Sequence, residues 1–405
     1  MKYNDSSQAV EISQRAHALM EDVVLPIERK HAAGEVISHK KVAKLRDEAR
    51  KYNIYAPQVG KEYGGMGINF RDVLPVFEEA GRSLLGPVAM RVDAPDQGNM
   101  HLLEIAGTEY QKKTYLEPLV QGEICSGFSM TEPMHGAGSD PKMIQTTAVQ
   151  DGDDWIIDGH KWWTTQGVEA DINIVLARTD MDAHPYEGSS LFIVPTDVDG
   201  LEVVRNIPHM GGGIRGESHA EIFYKDVRIP NEYLLGEINN GFIHAQERLG
   251  PARLTHCMRY SGMAQRALDI AKAYSCEREG FNSTLSNKQS IRHRIADSET
   301  QLHVARTAIR DAANRIASEN NTRVPVSMCK VFTASAAQDA IDLAVQCCGA
   351  NGIGKDLPLS DFYESVRQFR IVDGADEVHR RVIARAAFDS IDEAELEPVT
   401  RFKNS

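Results

Sequence analysis

Hydrophobic positions along this chain of 405 residues change their spacing twice. In the first and last parts they recur every three or four residues, which predicts amphipathic helices. In the middle part, short runs rich in β-branched and aromatic residues predict strands. The pattern therefore predicts an α+β protein with several domains. The predicted domains are an N-terminal helical domain at 1–124, a β-domain of short antiparallel strands at 125–232 and a C-terminal four-helix bundle at 233–405.

The β-domain is predicted from five strand-like runs that are separated by turn signals. Two Asp-Gly pairs, Asp151–Gly152 and Asp158–Gly159, are typical of tight hairpin turns. The runs lie at 146–149, 155–157, 172–176, 191–194 and 218–223, and the segment 227–230 is expected to close the domain.

Two seams of mostly small residues are predicted inside the C-terminal bundle. Small side chains let helices pack closely, and seams this regular often continue across a subunit interface. The first seam comprises Leu254, Cys257, Ser261, Ala264, Leu268 and Ala271, and the second comprises Val331, Ala334, Ala337, Ile341, Ala344 and Cys348.

Composition narrows the range of functions. Acidic residues outnumber basic ones by 58 to 45, and no basic stripe appears, which argues against a nucleic-acid groove. The six cysteines form no Cys-x-x-Cys pair and the histidines form no ligand cluster, which predicts reduced thiols and no metal site. Neither a leader nor a membrane-spanning run is evident, so we expect a cytoplasmic protein, with a mature organellar form left open.

Two polar segments in the β-domain carry the most specific chemistry. Residues 128–140 read Phe-Ser-Met-Thr-Glu-Pro-Met-His-Gly-Ala-Gly-Ser-Asp, and residues 161–167 read Lys-Trp-Trp-Thr-Thr-Gln-Gly. Glycines and hydroxyls let a flat or anionic ligand approach the backbone closely. Tryptophan offers a face for stacking, and threonine hydroxyls bind heteroatoms. Each segment alone is also compatible with a polar hairpin loop around a buried tryptophan.

Together these segments resemble the flavin-binding region of the acyl-CoA dehydrogenases, and the order of the three domains resembles that family over residues 10–390. The resemblance implies FAD as the cofactor. The residues implied to contact it are Phe128, Met130 and Thr131 at the isoalloxazine edge, Trp163 beside the ring, Thr165 at its reactive nitrogen and Ser139 at the diphosphate or the coenzyme A arm. Compared with the usual motif the chain carries two more residues, Met134 and His135, so we expect the turn to bulge there.

A second group of residues resembles the part of the family that reaches the FAD of a neighbouring subunit. Arg278 is implied to pair with the diphosphate, because a guanidinium suits its charge and geometry. Phe281 and Gln289 are implied to flank the adenosine end. A Gln-x-x-Gly segment at Gln346 and Gly349 is implied to bring the backbone close to the cofactor. The resemblance therefore implies a homo-oligomer, either a dimer or a tetramer built from two dimers.

Dehydrogenation of an acyl thioester needs a base for the α-proton while the β-hydrogen leaves as hydride. We expect a carboxylate in an apolar slot, where its proton affinity rises. Family members carry a glutamate either near the C-terminus or on the helix that Arg253 begins, beside coenzyme A. The second place here is Ala252, so Asp373 is implied to be the base. Asp376 and Glu377 are implied to lie beside the FAD ribose.

Asp373 departs from the family pattern because aspartate is one methylene shorter than glutamate. A positional error of about 1 Å can cost about a hundredfold in rate. The sequence implies either that the backbone lies closer to the substrate or that the substrate differs. The alternative interpretation of Asp373 is an exposed residue in a turn.

The sequence predicts an FAD-dependent acyl-CoA dehydrogenase that passes electrons to an electron-transferring flavoprotein. The segments 94–100, 248–259 and 373–379 resemble a branch whose animal members are fused to a kinase-like domain and act on 4-hydroxyacyl-CoAs. Two alternatives stay open: a flavin oxidase of the same fold that uses oxygen, and a catalytically silent protein that binds FAD and acyl-CoA. The chain length and substituents of the acyl group are not predicted.

Overall fold

The computed structural model describes residues 3–31, 36–211, 214, 216–318 and 322–391, and the first part of the chain is helical as its hydrophobic spacing predicts. Its helices are α1 Ser7–Leu19, α2 Leu25–Lys30, α3 His39–Lys51, α4 Phe70–Gly81, α5 Gly86–Met90, α6 Asp96–Ala106, α7 Glu109–Gln111 and α8 Glu117–Gln121. Helix α4 shows how the sequence determines where a helix begins and which face it buries. Asn69 caps its first turn by accepting from the backbone N–H of Asp72 at 2.9 Å, and its buried face includes Val73, Val76 and Phe77.

The middle part of the chain forms one twisted sheet. Its strands are β1 Ser126–Ser129, β2 Thr147–Asp151, β3 Asp154–Thr165, β4 Ile172–Arg178, β5 Ser189–Pro195, β6 Leu201–Asn206, β7 His219–Pro230 and β8 Leu234–Leu235. The order across the sheet is β6-β7-β3-β2-β4-β5-β8, and β1 pairs with β4 beside this path. Most neighbours are antiparallel as predicted, but β1 and β2 both run parallel to β4.

One of the two predicted hairpin turns is wrong. The pair Asp151–Gly152 does turn the chain between β2 and β3, with Gly152 at φ +64. The pair Asp158–Gly159 instead lies inside β3, at a shift in its register with β7. A Cβ on Gly159 would lie 2.3 Å from the hydroxyl of Thr146, so this glycine serves a close approach between strands rather than a turn.

The last part of the chain is the C-terminal helical domain. It comprises α9 Gly241–Glu277, a small hairpin of β9 Glu279–Gly280 and β10 Ser283–Thr284, and then α10 Gln289–Ser318, α11 Arg323–Cys348, α12 Ala350–Ile353, α13 Leu359–Phe369 and α14 Asp376–Asp389. Helices α9, α10 and α11 are the long members of the bundle. The shorter helices α13 and α14 together occupy the fourth position, and the turn between them carries Asp373.

The long helix α9 is clamped against the N-terminal domain through backbone contacts with α4. A Cβ on Gly262 would lie 1.9 Å from the carbonyl oxygen of Glu78, and one on Gly81 would lie 2.0 Å from that of Arg259. The predicted seams of α9 and α11 are buried, except that Val331 is half-buried. This packing fixes α9 relative to the sheet, and α9 supplies most of the charged groups described below.

The predicted domain boundaries remain predictions, although the secondary structure changes nearby. The last N-terminal helix ends at Gln121 and β1 begins at Ser126, while β8 ends at Leu235 and α9 begins at Gly241. In the described part of the chain, no helix is both long and apolar enough to cross a membrane.

The substitution Gly262→Ala is expected to lower the free energy of unfolding by about 1–3 kcal/mol, because the new methyl group has no space beside the Glu78 carbonyl. The matched control on the same helix is Gly250→Ala, where an added Cβ meets nothing within 4 Å. That control should be neutral or gain up to about 1 kcal/mol from helix propensity. Urea unfolding followed by circular dichroism measures both, and equal stabilities of the two variants would contradict the close α4–α9 contact.

Candidate active site

The loop after β1 is folded around one buried ion pair. Glu132 accepts hydrogen bonds from the backbone N–H groups of Ala137, Gln145 and Thr146 at 3.1, 2.7 and 2.9 Å. The ammonium of Lys161, on β3, lies 2.9 Å from the same carboxylate, and both side chains are buried. Burial lowers the pKa of Lys161 to about 8 despite the attraction of Glu132, so the pair is charged at neutral pH. The pair fixes both polar segments relative to each other.

The polar segments lie side by side because of this anchor. The carbonyl of Thr131 accepts from the backbone N–H of Trp162 at 3.0 Å. Three residues of the first polar segment are half-buried, so part of each side chain remains accessible: Phe128, Met130 and Thr131. The two additional residues of the loop bulge outward as predicted, since both are exposed and His135 has φ +77. Ser139 also lies exposed on this loop.

Trp163 lies at an irregularity of β3 and presents its indole outward. The register between β3 and β7 shifts between Lys161 and Thr164, Trp163 has φ +54, and 42% of its surface is exposed. The ring of His219 lies 5.5 Å from this indole, and its Nδ1 lies 3.1 Å from the hydroxyl of Thr165. An exposed indole in a left-handed conformation is unusual in a strand, and such strained positions cluster at binding sites.

Asp373 lies at φ +56 in the turn between α13 and α14. Its backbone carbonyl accepts from Nε of Arg253 at 2.9 Å, and Nε2 of His379 lies 3.1 Å from the same oxygen. Asp376 anchors the turn from inside, since Nζ of Lys330 lies 2.9 Å and Nε of Arg370 lies 3.0 Å from its two carboxylate oxygens. The carboxylate of Asp376 is almost fully buried and supports the turn, and its contact with a ribose stays a prediction.

The side chain of Asp373 is bordered by basic side chains of α9. Nδ1 of His256 lies 2.9 Å from Oδ2 of Asp373. The N–H of that nitrogen is directed at the carbonyl of Ala252, 2.8 Å away, so the carboxylate contact is a close charge contact rather than an aligned hydrogen bond. The side chain of Asp373 keeps 17% of its surface exposed, so another molecule can reach it.

The electrostatics of Asp373 differ from the prediction of an apolar slot. Burial raises the pKa of Asp373. This effect is outweighed by the charge and contact of the His256 imidazole and by the charges of Arg253 and Arg248. The pKa of Asp373 is therefore held well below its usual range. Asp373 is therefore ionised at neutral pH, and the environment that the sequence suggested is corrected: the slot is cationic.

Arg248 connects Asp373 with the first polar segment. Its guanidinium stacks over the ring of Phe128 at 4.0 Å, and its charge acts on Asp373. Nε donates to Oδ1 of Asn99 at 2.8 Å, and a Cβ on Gly98 would lie 2.9 Å from the guanidinium carbon, so a side chain there would displace the guanidinium. Burial lowers the pKa of Arg248 to about 10, which keeps it charged at neutral pH.

The second group of predicted site residues lies elsewhere. Arg278, Phe281 and Gln289 are exposed around the β9–β10 hairpin, and Gln346 and Gly349 lie at the end of α11. Phe281 is 94% exposed and forms the tip of the hairpin with φ +52. Glu377, the remaining predicted residue, lies exposed on α14 and pairs with Arg380 at 3.2 Å.

The two groups cannot meet within one chain. Arg253 lies on α9 and Arg278 directly follows its last residue, Glu277, so the helix between them rises by roughly 36 Å. The structure thus brings together Phe128, Met130, Thr131, Trp163 and Thr165 on one side, with Arg253 and Asp373 nearby. It leaves Arg278 and its neighbours at the opposite end of the bundle.

The first group fits a flat heteroaromatic cofactor. Beside the exposed indole of Trp163, Nε1 of Trp162 and Nε2 of Gln166 are buried and have no partner in the described part of the chain. Such donors are costly unless a ligand satisfies them. Stacking faces, hydroxyls and unused N–H donors are what an isoalloxazine ring requires. In the same described residues, no group of three or more His, Cys, Asp or Glu side chains could hold a metal ion.

Three contributors to the site were not predicted: the Glu132–Lys161 pair, Arg248 and His256. The sequence does contain a signal for Arg248 and His256. Together with Ala252 they follow one another at four-residue spacing and therefore share one face of α9. The buried pair could have been suspected from an acid in the first polar segment and a lysine in the second. Neither signal indicates by itself that the groups meet.

Comparisons with known proteins agree on one family. Family models for acyl-CoA dehydrogenases match along the chain: the N-terminal domain at residues 6–123, the middle domain at 127–227 and the C-terminal domain at 239–388. Acyl-CoA dehydrogenase FadE2 of Mycobacterium tuberculosis is 41% identical over 79% of this chain and 79% of its own length. The solved structure of butyryl-CoA dehydrogenase from Megasphaera elsdenii is 27% identical, covers 96% of this chain and all of its own, and has a TM-score of 0.83.

A further relative is longer than this chain. Acyl-CoA dehydrogenase family member 11 of Mus musculus is 34% identical over 95% of this chain, but the match spans only 51% of the mouse protein. This chain thus corresponds to about half of that relative.

Lys161→Met is expected to lower the free energy of unfolding by about 3–5 kcal/mol, because it leaves the buried carboxylate of Glu132 without a counter-charge. The double variant Glu132→Gln, Lys161→Met should recover part of the loss. Lys225→Met is the matched control, since its ion pair with Glu202 is exposed and such pairs contribute under about 1 kcal/mol. Similar urea midpoints for Lys161→Met and Lys225→Met would contradict the anchoring role.

Proposed function

This chain belongs to the acyl-CoA dehydrogenase family of FAD-dependent oxidoreductases, and we propose that it converts an acyl-CoA thioester to the trans-2-enoyl-CoA with Asp373 as the base for the α-proton. One observation carries the proposal. Arg248 contacts Phe128 of the first polar segment while its charge acts on Asp373, so the candidate flavin side and the candidate base border the same space.

The residues of the β-domain would hold the flavin. Trp163 would flank the ring, Phe128, Met130 and Thr131 would line its edge, and Thr165 would donate or accept at its reactive nitrogen. When bound, FAD supplies the acceptor for the β-hydride. The carbonyl and hydroxyl groups of the chain orient the ring, and Glu132 with Lys161 keeps the polar segments in register.

Asp373 is suited to accept a proton because it is ionised and reachable. Asp373 has a left-handed backbone conformation in its turn, and Arg253 fixes the turn by binding its carbonyl. Arg253 and Ser139 would also contact the coenzyme A part of the substrate, which enters from the side of the exposed loop.

The distance between the two groups of site residues supports a homo-oligomer. Arg278, Phe281, Gln289, Gln346 and Gly349 are too far from Trp163 and Asp373 to serve the same cofactor within one chain. We infer that they reach the FAD of a neighbouring subunit in a dimer, or in a tetramer built from two dimers.

We infer an electron-transferring flavoprotein as the electron acceptor, as in the acyl-CoA dehydrogenases that the sequence resembles. A 4-hydroxyacyl-CoA is the more specific substrate class that we propose. The observation in its favour is the buried guanidinium of Arg248, whose N–H donors beside Phe128 and Asp373 can bind an oxygen substituent on the acyl chain.

Asp373→Asn is expected to slow flavin reduction by at least about a hundredfold, because the amide cannot accept the α-proton. The measurement is anaerobic bleaching of the visible flavin band by butyryl-, octanoyl- and palmitoyl-CoA and by their 4-hydroxy derivatives. Unchanged FAD content shows that the variant is folded. Bleaching of the variant at the wild-type rate would refute Asp373 as the base.

The same experiment separates the alternatives. A wild-type protein that no acyl-CoA bleaches would favour the silent binder, and rapid release of hydrogen peroxide in air would favour the oxidase.

Mixing two inactive variants tests whether a site uses two chains. Asp373→Asn and Arg278→Glu should each be inactive alone, since the first lacks the base and the second repels the diphosphate. Co-expressed with different affinity tags, the hybrid dimer contains one site with both native residues. In a statistical mixture about a quarter of the wild-type activity should return. No recovery in a purified hybrid would show that both residues serve the same chain's site.

A further inference from the structure

His256 holds a fixed hydrogen-bond arrangement beside Asp373. Its Nδ1 lies 2.8 Å from the carbonyl oxygen of Ala252 and 2.9 Å from Oδ2 of Asp373. Both oxygens are acceptors, so Nδ1 carries a hydrogen whether the imidazole is neutral or charged. Any further proton on the ring therefore resides on Nε2.

The presence of that second proton changes the surroundings of the carboxylate. When Nε2 of His256 is protonated, Asp373 faces a positively charged imidazole at 2.9 Å. When Nε2 is not protonated, Asp373 faces a neutral imidazole. A unit charge at such a distance interacts with a carboxylate by several kcal/mol at an effective dielectric near 20. Protonation of His256 thus weakens Asp373 as a proton acceptor.

The other groups around Asp373 keep their charge over the same pH range. Arg248 and Arg253 on α9 stay cationic, and Lys330 on α11 is held by Asp376. Burial, followed by the charge of Arg253, lowers the pKa of His379 on α14 to about 4, so His379 is neutral above about pH 5. Burial raises the pKa of two further α9 groups, Cys257 and Tyr260, which stay neutral. Arg370, on the Asp373 turn, remains paired with Asp376.

We propose that His256 is a positioning residue for Asp373: its imidazole lies against the carboxylate at 2.9 Å and limits where that carboxylate can lie, and the loss of its Nε2 proton makes the carboxylate a competent base. The proposal rests on the proposed function of Asp373. In the step concerned, the α C–H bond breaks, the proton moves to a carboxylate oxygen of Asp373, and the electron pair stays on the substrate carbon. His256 does not exchange a proton with the substrate in this step.

The proposal predicts that His256, and not Asp373, sets the acidic limb of the reaction. Asp373 is already ionised at neutral pH, so a change of charge near its carboxylate has to come from a neighbouring group, and His256 is the one in contact with it. The wild-type rate should therefore fall at least about fivefold between about pH 8 and about pH 5. His256→Gln retains a side-chain N–H donor but cannot be protonated, so its rate should be constant within about twofold over that range.

The test is the anaerobic rate of flavin bleaching as a function of pH, measured by stopped flow on FAD-loaded protein. The probe is whichever of butyryl-, octanoyl- and palmitoyl-CoA bleaches the wild type fastest. His256→Asn, whose amide nitrogen takes the place of Nδ1, is measured alongside in case the glutamine variant does not fold. The matched control is His379→Gln, which also borders Asp373 but contacts only its backbone carbonyl. Whatever the bleaching rate of His379→Gln, the midpoint of its acidic limb should equal that of the wild type.

Two results would overturn the proposal without touching the proposed function. One is an acidic limb with the wild-type midpoint in both His256 variants. The other is an acidic limb that shifts in His379→Gln to the same extent as in the His256 variants, which would show that the limb does not report His256. The proposed function fails separately, if Asp373→Asn bleaches as fast as the wild type.

Discussion

A carboxylate that remains ionised inside the protein is the constraint on which the rest of this structure depends. Burial raises the pKa of Asp373, and the basic side chains of α9 outweigh it and lower that pKa. Arg248, Arg253 and His256 are spaced over little more than two turns of one helix, so a small rotation or shift of α9 would displace all three. The backbone contact between Gly262 and α4 makes such a shift costly, because close-packed interiors do not deform gradually.

The same charges create a conflict that the site has to resolve. Cations keep the carboxylate ionised but also reduce its affinity for a proton, whereas a base for an α-proton needs the opposite. Two of the three cations are guanidiniums and cannot change. His256 is the third, and it can become neutral. In this account, the guanidiniums of Arg248 and Arg253 keep the carboxylate of Asp373 ionised inside the protein, and the protonation state of His256 adjusts how strongly that carboxylate binds a proton.

Much of the fold was predictable because hydrophobic spacing directly reflects burial. The seam of α9 and five strands follow from periodicity, and the resemblance singled out Asp373 as the base. Two features were beyond reach. Asp158–Gly159 has the local signature of a hairpin, and only the approach of Thr146, just before β2, reveals why glycine is required. Asp373 follows an apolar run and suggested a dry slot, whereas its partners are distant in the sequence and are brought in by α9.

The central claim, that Asp373 removes the α-proton, can be measured apart from hydride transfer. 3,3-Dimethylbutyryl-CoA has α-hydrogens but none on its β-carbon, so only the proton step can occur. FAD-loaded protein is incubated with this compound in D2O, and deuterium at the α-carbon is followed by mass spectrometry. The account predicts that the wild type incorporates deuterium and that Asp373→Asn does so at least about a hundredfold more slowly. Equal rates of incorporation by the two proteins would contradict it.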